Sequence, residues 1–214
     1  MPPSRIFLLR HGQGEHNATG RDIRDALLTK QGEEQASSWM GTVPTLGVEV
    51  VLISPLRRAI QTALLAFQQG RGTPRLLLCR HARELWWDEA VNALSSERDL
   101  KNLLRRLPRG DEVAAIDGRR GTPGTGSVRE AVRCQSTTPE TEDASIRALI
   151  AELRQREEDR VAVVCHWGVI SDLCGADADN CALVECCFEK SAGSRGTALK
   201  VLRVHPSPGG GKTS

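Results

Sequence analysis

Four short apolar runs, at residues 5–9, 48–53, 75–79 and 161–165, are each separated from the next by a stretch with helical character. That alternation narrows the open folds more than any other feature of the chain. A short run of Val, Ile and Leu suits a strand buried on both faces, and an intervening helix brings the chain back to lay the next strand parallel. The chain is therefore expected to build a parallel-rich α/β sheet.

The connecting helices are expected at about 31–40, at 55–68 with Pro55 near the start, at 95–106 and at 139–158. The last is the clearest, because Ile146, Leu149, Ile150 and Leu153 recur at helical spacing. A further helix is expected after Gly168, and two more strands at 183–188 and 198–204. With 214 residues and 39% hydrophobic content, one domain over residues 1–205 is expected. Between 108 and 138 the apolar periodicity disappears and glycines accumulate among Arg109, Arg119, Arg120, Arg129 and Arg133, so this stretch reads as a long loop insertion. Residues 206–214 read as a disordered tail. Their Gly-Gly-Gly-Lys-Thr sequence is no phosphate loop, since Pro206 falls where the first glycine is required and no helix can follow.

The net charge is only +2 and the cations are dispersed, which argues against nucleic acid and anionic membrane as partners. Met1-Pro2-Pro3-Ser4 leads straight into a strand, without the pattern of a signal peptide, and no stretch is long enough to span a bilayer, so a soluble cytoplasmic protein is expected. Seven cysteines in irregular spacing, with no Cys-x-x-Cys, suggest reduced thiols rather than a disulfide framework or a zinc site. None has an arginine six positions on, so a thiolate phosphate loop is not expected.

The residues that carry chemistry follow strand ends, where open α/β sheets hold ligands. Arg10-His11-Gly12-Gln13 follows the first strand: an arginine can grip an anion, a histidine can attack or take a proton, and Gly12 is expected to let the backbone turn. Ser54-Pro55-Leu56-Arg57-Arg58-Ala59 follows the second and opens a helix, whose N-terminus favours an anion. One of the two arginines should be surface-directed, because neighbours on a helix point about 100° apart. Arg83-Glu84 follows the third strand, with Trp86 and Trp87 able to raise the carboxyl pKa. Val163-Val164-Cys165-His166-Trp167-Gly168 ends the fourth. Two histidines at the ends of parallel strands can face one ligand from either side.

Taken in order, Arg10-His11-Gly12 with Asn17, Ser54 to Ala59 with Gln61-Thr62-Ala63, Arg83-Glu84, and His166 with Gly168 resemble the histidine phosphatase superfamily, the phosphoglycerate mutase-like proteins. The resemblance spans about residues 5–204, and Asp25, Leu28, Thr29, Gly32, Gln35 and Ala36 add to it. It implies a three-layer α/β sandwich with a mainly parallel central sheet and a two-step reaction through a phosphohistidine. By position in the motifs, His11 would be the nucleophile. Arg10, Arg58 and His166 would bind phosphoryl oxygens, Asn17 and Gln13 would help at the rim, and Glu84 would be the general acid and base. No cofactor or metal is implied.

The expectation is a metal-independent phosphatase acting on a small phosphorylated metabolite or a phosphoprotein, with oligomeric state open. A phosphomutase is the runner-up, and an inactive anion-binding protein of the same fold is a third reading. Phosphoryl transfer needs in-line positioning and dispersed positive charge, which arginines and histidines supply. His11 must be neutral to attack, and Arg10 and Arg58 should depress its pKa; they should also depress that of Glu84, against its role as an acid. Two positions depart from the family pattern: Trp167 after the second histidine, and Leu85-Trp86-Trp87-Asp88-Glu89 after the acid. A metal site from His11, His16, Glu15, Asp22 and Asp25, and an aspartate nucleophile in Asp177-Ala178-Asp179, lack the spacing or context those chemistries need.

Overall fold

The apolar runs do pair side by side. The computed structural model describes residues 1–68, 73–86, 89–114, 125–133, 141–189 and 197–208. In chain order its elements are β1 (Arg5–Arg10), α1 (Glu15–Thr19), α2 (Lys30–Ser37), β2 (Val50–Ile53), α3 (Arg57–Ala66), β3 (Arg75–Cys79), α4 (Glu97–Leu104), α5 (Gly110–Ala114), β4 (Thr125–Gly126), α6 (Val128–Arg133), α7 (Glu142–Arg154), β5 (Arg160–Cys165), α8 (Trp167–Cys174), β6 (Leu183–Phe188) and β7 (Leu199–His205). The strands form one sheet in the order β4-β3-β2-β5-β1-β6-β7. Its four central strands, β3, β2, β5 and β1, are mutually parallel. Antiparallel β4 and the β6-β7 hairpin close the two edges.

Apart from Arg5, Arg10, Arg75 and Arg160 at their ends, the central strands are apolar because the sheet is covered on both faces. Alternate residues go to opposite sides. Phe7, Leu9, Val51, Ile53, Ala162 and Val164 join one core, with Ile60 and Leu64 of α3 and Leu100 and Leu104 of α4. Ile6, Leu8, Val50, Leu52, Val161 and Val163 join the other, with Ile146, Leu149 and Leu153 of α7 and Val169, Ile170 and Leu173 of α8. The result is the three-layer sandwich that the resemblance implied.

Three local expectations change. The 108–138 stretch is not a continuous loop: α5, β4 and α6 lie within it, because Val113, Val128 and Ala131 bury against the first core. Arg109 is occupied structurally, its guanidinium donating to the carbonyls of Phe67 at 2.9 Å and Pro74 at 2.8 Å. Residues 115–124 and 134–138, with Arg119 and Arg120, lie outside the described residues, as does the tail from 209. The helix expected after Gly168 starts earlier, at Trp167, with His166 as its N-cap and Gly168 inside the first turn. Helix α1 was not expected, since its five residues bury nothing and so leave no apolar period.

Candidate active site

The topology places four strand ends in a row, β1 beside β5, β5 beside β2 and β2 beside β3. His11, His166, Ser54 and Glu84 follow those four ends, so the sheet itself gathers the residues that the motifs single out.

His11 is buried, 2% exposed, and its Nδ1 lies 2.7 Å from the carbonyl oxygen of its neighbour Gly12. A carbonyl only accepts, so Nδ1 carries the proton and the neutral ring presents an unprotonated Nε2. Burial, then Arg58, then Arg10, hold the His11 pKa well below the ordinary imidazole value, so the neutral form persists into acid. Gly12 serves a different purpose from the one expected. Its φ is not in the left-handed region; instead a Cβ there would stand 2.5 Å from the carbonyl oxygen of Gly32, and one on Gly32 would stand 2.2 Å from that of Gln13. The two glycines let the start of α2 press against the turn that carries His11.

Arg58 is 1% exposed, with Nη1 donating to the Val91 carbonyl and Nη2 to Asn92 Oδ1, both at 2.8 Å. Arg10 donates from Nη1 to the Ala178 carbonyl at 2.8 Å. The Nε of each guanidinium is buried without a hydrogen-bond partner in the protein. Burial lowers both pKa values, that of Arg58 to about 10, and leaves both cations charged at neutral pH. Arg57 is the structural member of the pair: its backbone N–H donates to Asp25 Oδ1 at 2.9 Å and its Nε to the Asp25 carbonyl at 2.7 Å.

His166 is fully buried, its ring centroid 5.1 Å from that of His11, and its Nε2 lies 2.7 Å from Ser54 Oγ. Ser54 is itself fully buried, and Oγ also accepts from Leu56 N–H at 3.4 Å. The tautomer that satisfies the hydroxyl proton has Ser54 donating to Nε2 and the ring proton on Nδ1. That Nδ1 is buried without a partner. Burial, Arg58 and His11 keep the ring's pKa well below its ordinary value.

Glu84 is buried; Oε1 accepts from Leu85 N–H at 3.0 Å and Oε2 makes a long 3.5 Å contact to Gly168 N–H. Its pKa is raised: burial outweighs those two N–H groups and the opposing fields of Arg58 and Arg10. At Glu84 desolvation thus outweighs the arginine fields, the direction that an acid role would need. Gly168 is required for close approach, since a Cβ there would meet Glu84 Oε1 at 2.7 Å and Trp86 Cζ3 at 3.0 Å.

The two rim candidates are held in local structure. Asn17 Oδ1 accepts from Gly14 N–H at 3.0 Å, capping α1, and lies 3.4 Å from Asn180 Nδ2. Gln13 Oε1 accepts from the Thr29 hydroxyl at 2.8 Å. Three further residues belong to the site. His16 puts its ring 5.7 Å from that of His11 and has its pKa lowered to about 4 by burial, Arg58 and Arg10. Ser54 orients His166, and Asn92 holds Arg58. Ser54 stands in its motif and His16 entered only through the rejected metal set, whereas Asn92 carries no sequence signal. Trp87 lies outside the described residues. Among the described residues no group of three or more His, Cys, Asp or Glu is placed to hold a metal ion. The described cysteines are free, and burial pushes the thiol of Cys165, next to His166, upward, away from a reactive thiolate.

Two neighbouring imidazoles, two arginines whose buried Nε groups have no partner in the protein and a carboxyl with a raised pKa form an arrangement chemically able to receive an anion. Residues 6–85 match the family model of the histidine phosphatase superfamily, branch 1. The matched segment carries Arg10, His11, Arg58 and Glu84, so over those residues the chain is similar to that superfamily. A probable phosphatase of Schizosaccharomyces pombe is 34% identical over 68 residues, which are 29% of this chain and 32% of that protein. Phosphoglycerate mutase-like protein 2 of Arabidopsis thaliana is 36% identical over 90 residues, 34% of this chain and 26% of that one. The chain thus spans about a third or less of the length of these curated relatives. Among solved structures, a phosphoserine phosphatase mutant from Entamoeba histolytica in complex with phosphoserine matches with a TM-score of 0.56 at 19% identity. That match covers 96% of this chain and 98% of the other, and bears on the fold alone. No helix among the described residues is long and apolar enough to cross a membrane.

Proposed function

We propose that this protein hydrolyses phosphomonoesters of small metabolites, without a metal ion, through a phosphohistidine on His11. The observation that carries the reading is the Nδ1 contact to the Gly12 carbonyl, which leaves Nε2 of a neutral, buried ring as the nucleophile. A substrate phosphate enters among Arg10, Arg58 and His166, whose unpaired N–H groups supply donors for its oxygens. Nε2 attacks phosphorus as the bond to the leaving oxygen breaks, and Glu84 passes its proton to that oxygen. The resulting carboxylate then takes a proton from water, which attacks phosphorus and breaks the N–P bond. Inorganic phosphate leaves and both side chains return to their starting states.

The reading is tested by aryl phosphate hydrolysis in excess chelator with wild type and His11→Ala. Turnover that survives chelation and is lost in the variant supports it. Loss to chelator, or retention in the variant, overturns it. Assay with 3-phosphoglycerate and a bisphosphate primer separates hydrolysis from mutase activity.

A further inference from the structure

Two tryptophans stand open to solvent at the edge of this site. Trp86 is 44% exposed and Trp167 37%, and they are the exposed aromatic side chains among the described residues. They stack on each other, ring centroids 6.1 Å apart with planes at 18°. Trp167 Nε1 donates to Asp177 Oδ1 at 2.7 Å, and the Trp86 carbonyl accepts from Asn92 Nδ2 at 3.2 Å and from Glu89 N–H at 3.1 Å.

Their position relates them to one reaction partner. Trp86 Cζ3 and Glu84 Oε1 approach the same point beside Gly168 Cα, at 3.0 and 2.7 Å. On the reading above, Glu84 protonates the leaving oxygen, so the group attached to that oxygen departs along the side of the site where the indoles lie. A near-parallel pair with exposed surface extends naturally by one more flat ring, whereas a cation is better held by rings set steeply around it.

We propose that Trp86 and Trp167 form a leaving-group subsite, and that the preferred substrates are phosphomonoesters whose alcohol carries an aromatic ring. This rests on the phosphatase reading and adds the substrate class.

The test compares kcat/KM for 2-phenylethyl phosphate, n-propyl phosphate and phosphocholine, all esters of primary alcohols, so that the ring or charge is the main variable. Wild type is expected to prefer the phenylethyl ester over the propyl ester by about tenfold, the advantage lying in KM. In Trp167→Ala the ratio of the two should fall to within about twofold of unity, while Trp167→Phe, which keeps an aromatic face, should retain most of it. Hydrolysis of both alkyl esters at equal efficiency by wild type overturns the subsite and leaves the phosphatase reading standing. So does an undiminished ratio in Trp167→Ala. Preference for phosphocholine over both replaces it with a cation site. If no ester is hydrolysed, the phosphatase reading fails and the subsite with it.

Discussion

At the scale of single residues, the candidate site holds ionisable groups in protonation states that water would not favour. His11 and His166 are kept neutral by burial and by Arg58, and Glu84 is kept protonated to a higher pH by burial. The unfolded chain binds protons on its imidazoles below pH ~6.5, where folded His11 and His166 do not. Stability contributed by these rings is therefore intact above that value and lost as pH falls below it, by up to about 1.4 kcal/mol per pH unit for each. Urea denaturation at pH 7.5 and 5.5 should show this slope in wild type and a shallower one in His11→Asn; equal slopes would contradict the burial argument. Glu84 has the opposite sign: its raised folded pKa destabilises the fold as pH rises above the unfolded value of ~4.3. Glu84→Gln should therefore raise Tm at neutral pH, while lowering kcat by about 10² to 10⁴ and removing the alkaline limb of the kcat/KM profile. A profile matching wild type would show that Glu84 is not the acid. Arg10, His11, Arg58, Glu84 and His166 were legible as candidates, because Arg10 ends β1 and the others lie beyond strand ends, where ligand chemistry would need their types. Asn92 was not, since a residue that only holds a guanidinium leaves no pattern along the chain.

Secondary-structure elements place these groups through a few close contacts. The facing glycines 12 and 32 let α2 abut the His11 turn, and Gly12→Ala should cost about 3 kcal/mol through forced displacement of backbone. Thermal melting measures this, and a variant as stable as wild type would mean that the contact is not close. At the start of α3, Asp25 accepts from both Arg57 N–H and Ser95 N–H at 2.9 Å. Asp25→Ala should destabilise by about 2 kcal/mol and weaken phosphate binding by tilting the helix that carries Arg58. An unchanged Tm and phosphate affinity would contradict that role. The central strands were legible because both faces are buried, which makes each an apolar run interrupted only by arginines at its ends. Helices α5 and α6 were not, since five or six residues with one or two buried apolar side chains are too short to establish a helical period. The start of α8 differs for a separate reason: Gly168 reads as a helix boundary, whereas it lies inside the first turn and admits Glu84 and Trp86.

For the whole molecule, the sheet order explains why residues spread from position 10 to 166 share one site: β1, β5, β2 and β3 are neighbours and parallel, so their ends face the same way. A dianion among Arg10, Arg58 and His166 should stabilise the fold by linkage, about 2.7 kcal/mol at a hundred times its Kd. Vanadate or inorganic phosphate should raise Tm in wild type and much less in Arg58→Ala. The central claim is that the phosphoryl group passes through His11. A single-turnover reaction with a ³²P-labelled phosphomonoester, quenched in alkali and denaturant and mapped to peptides, tests it directly. The account predicts acid-labile, base-stable label on the peptide containing His11, and none in His11→Ala. Label on another residue, or full turnover by His11→Ala, would contradict it.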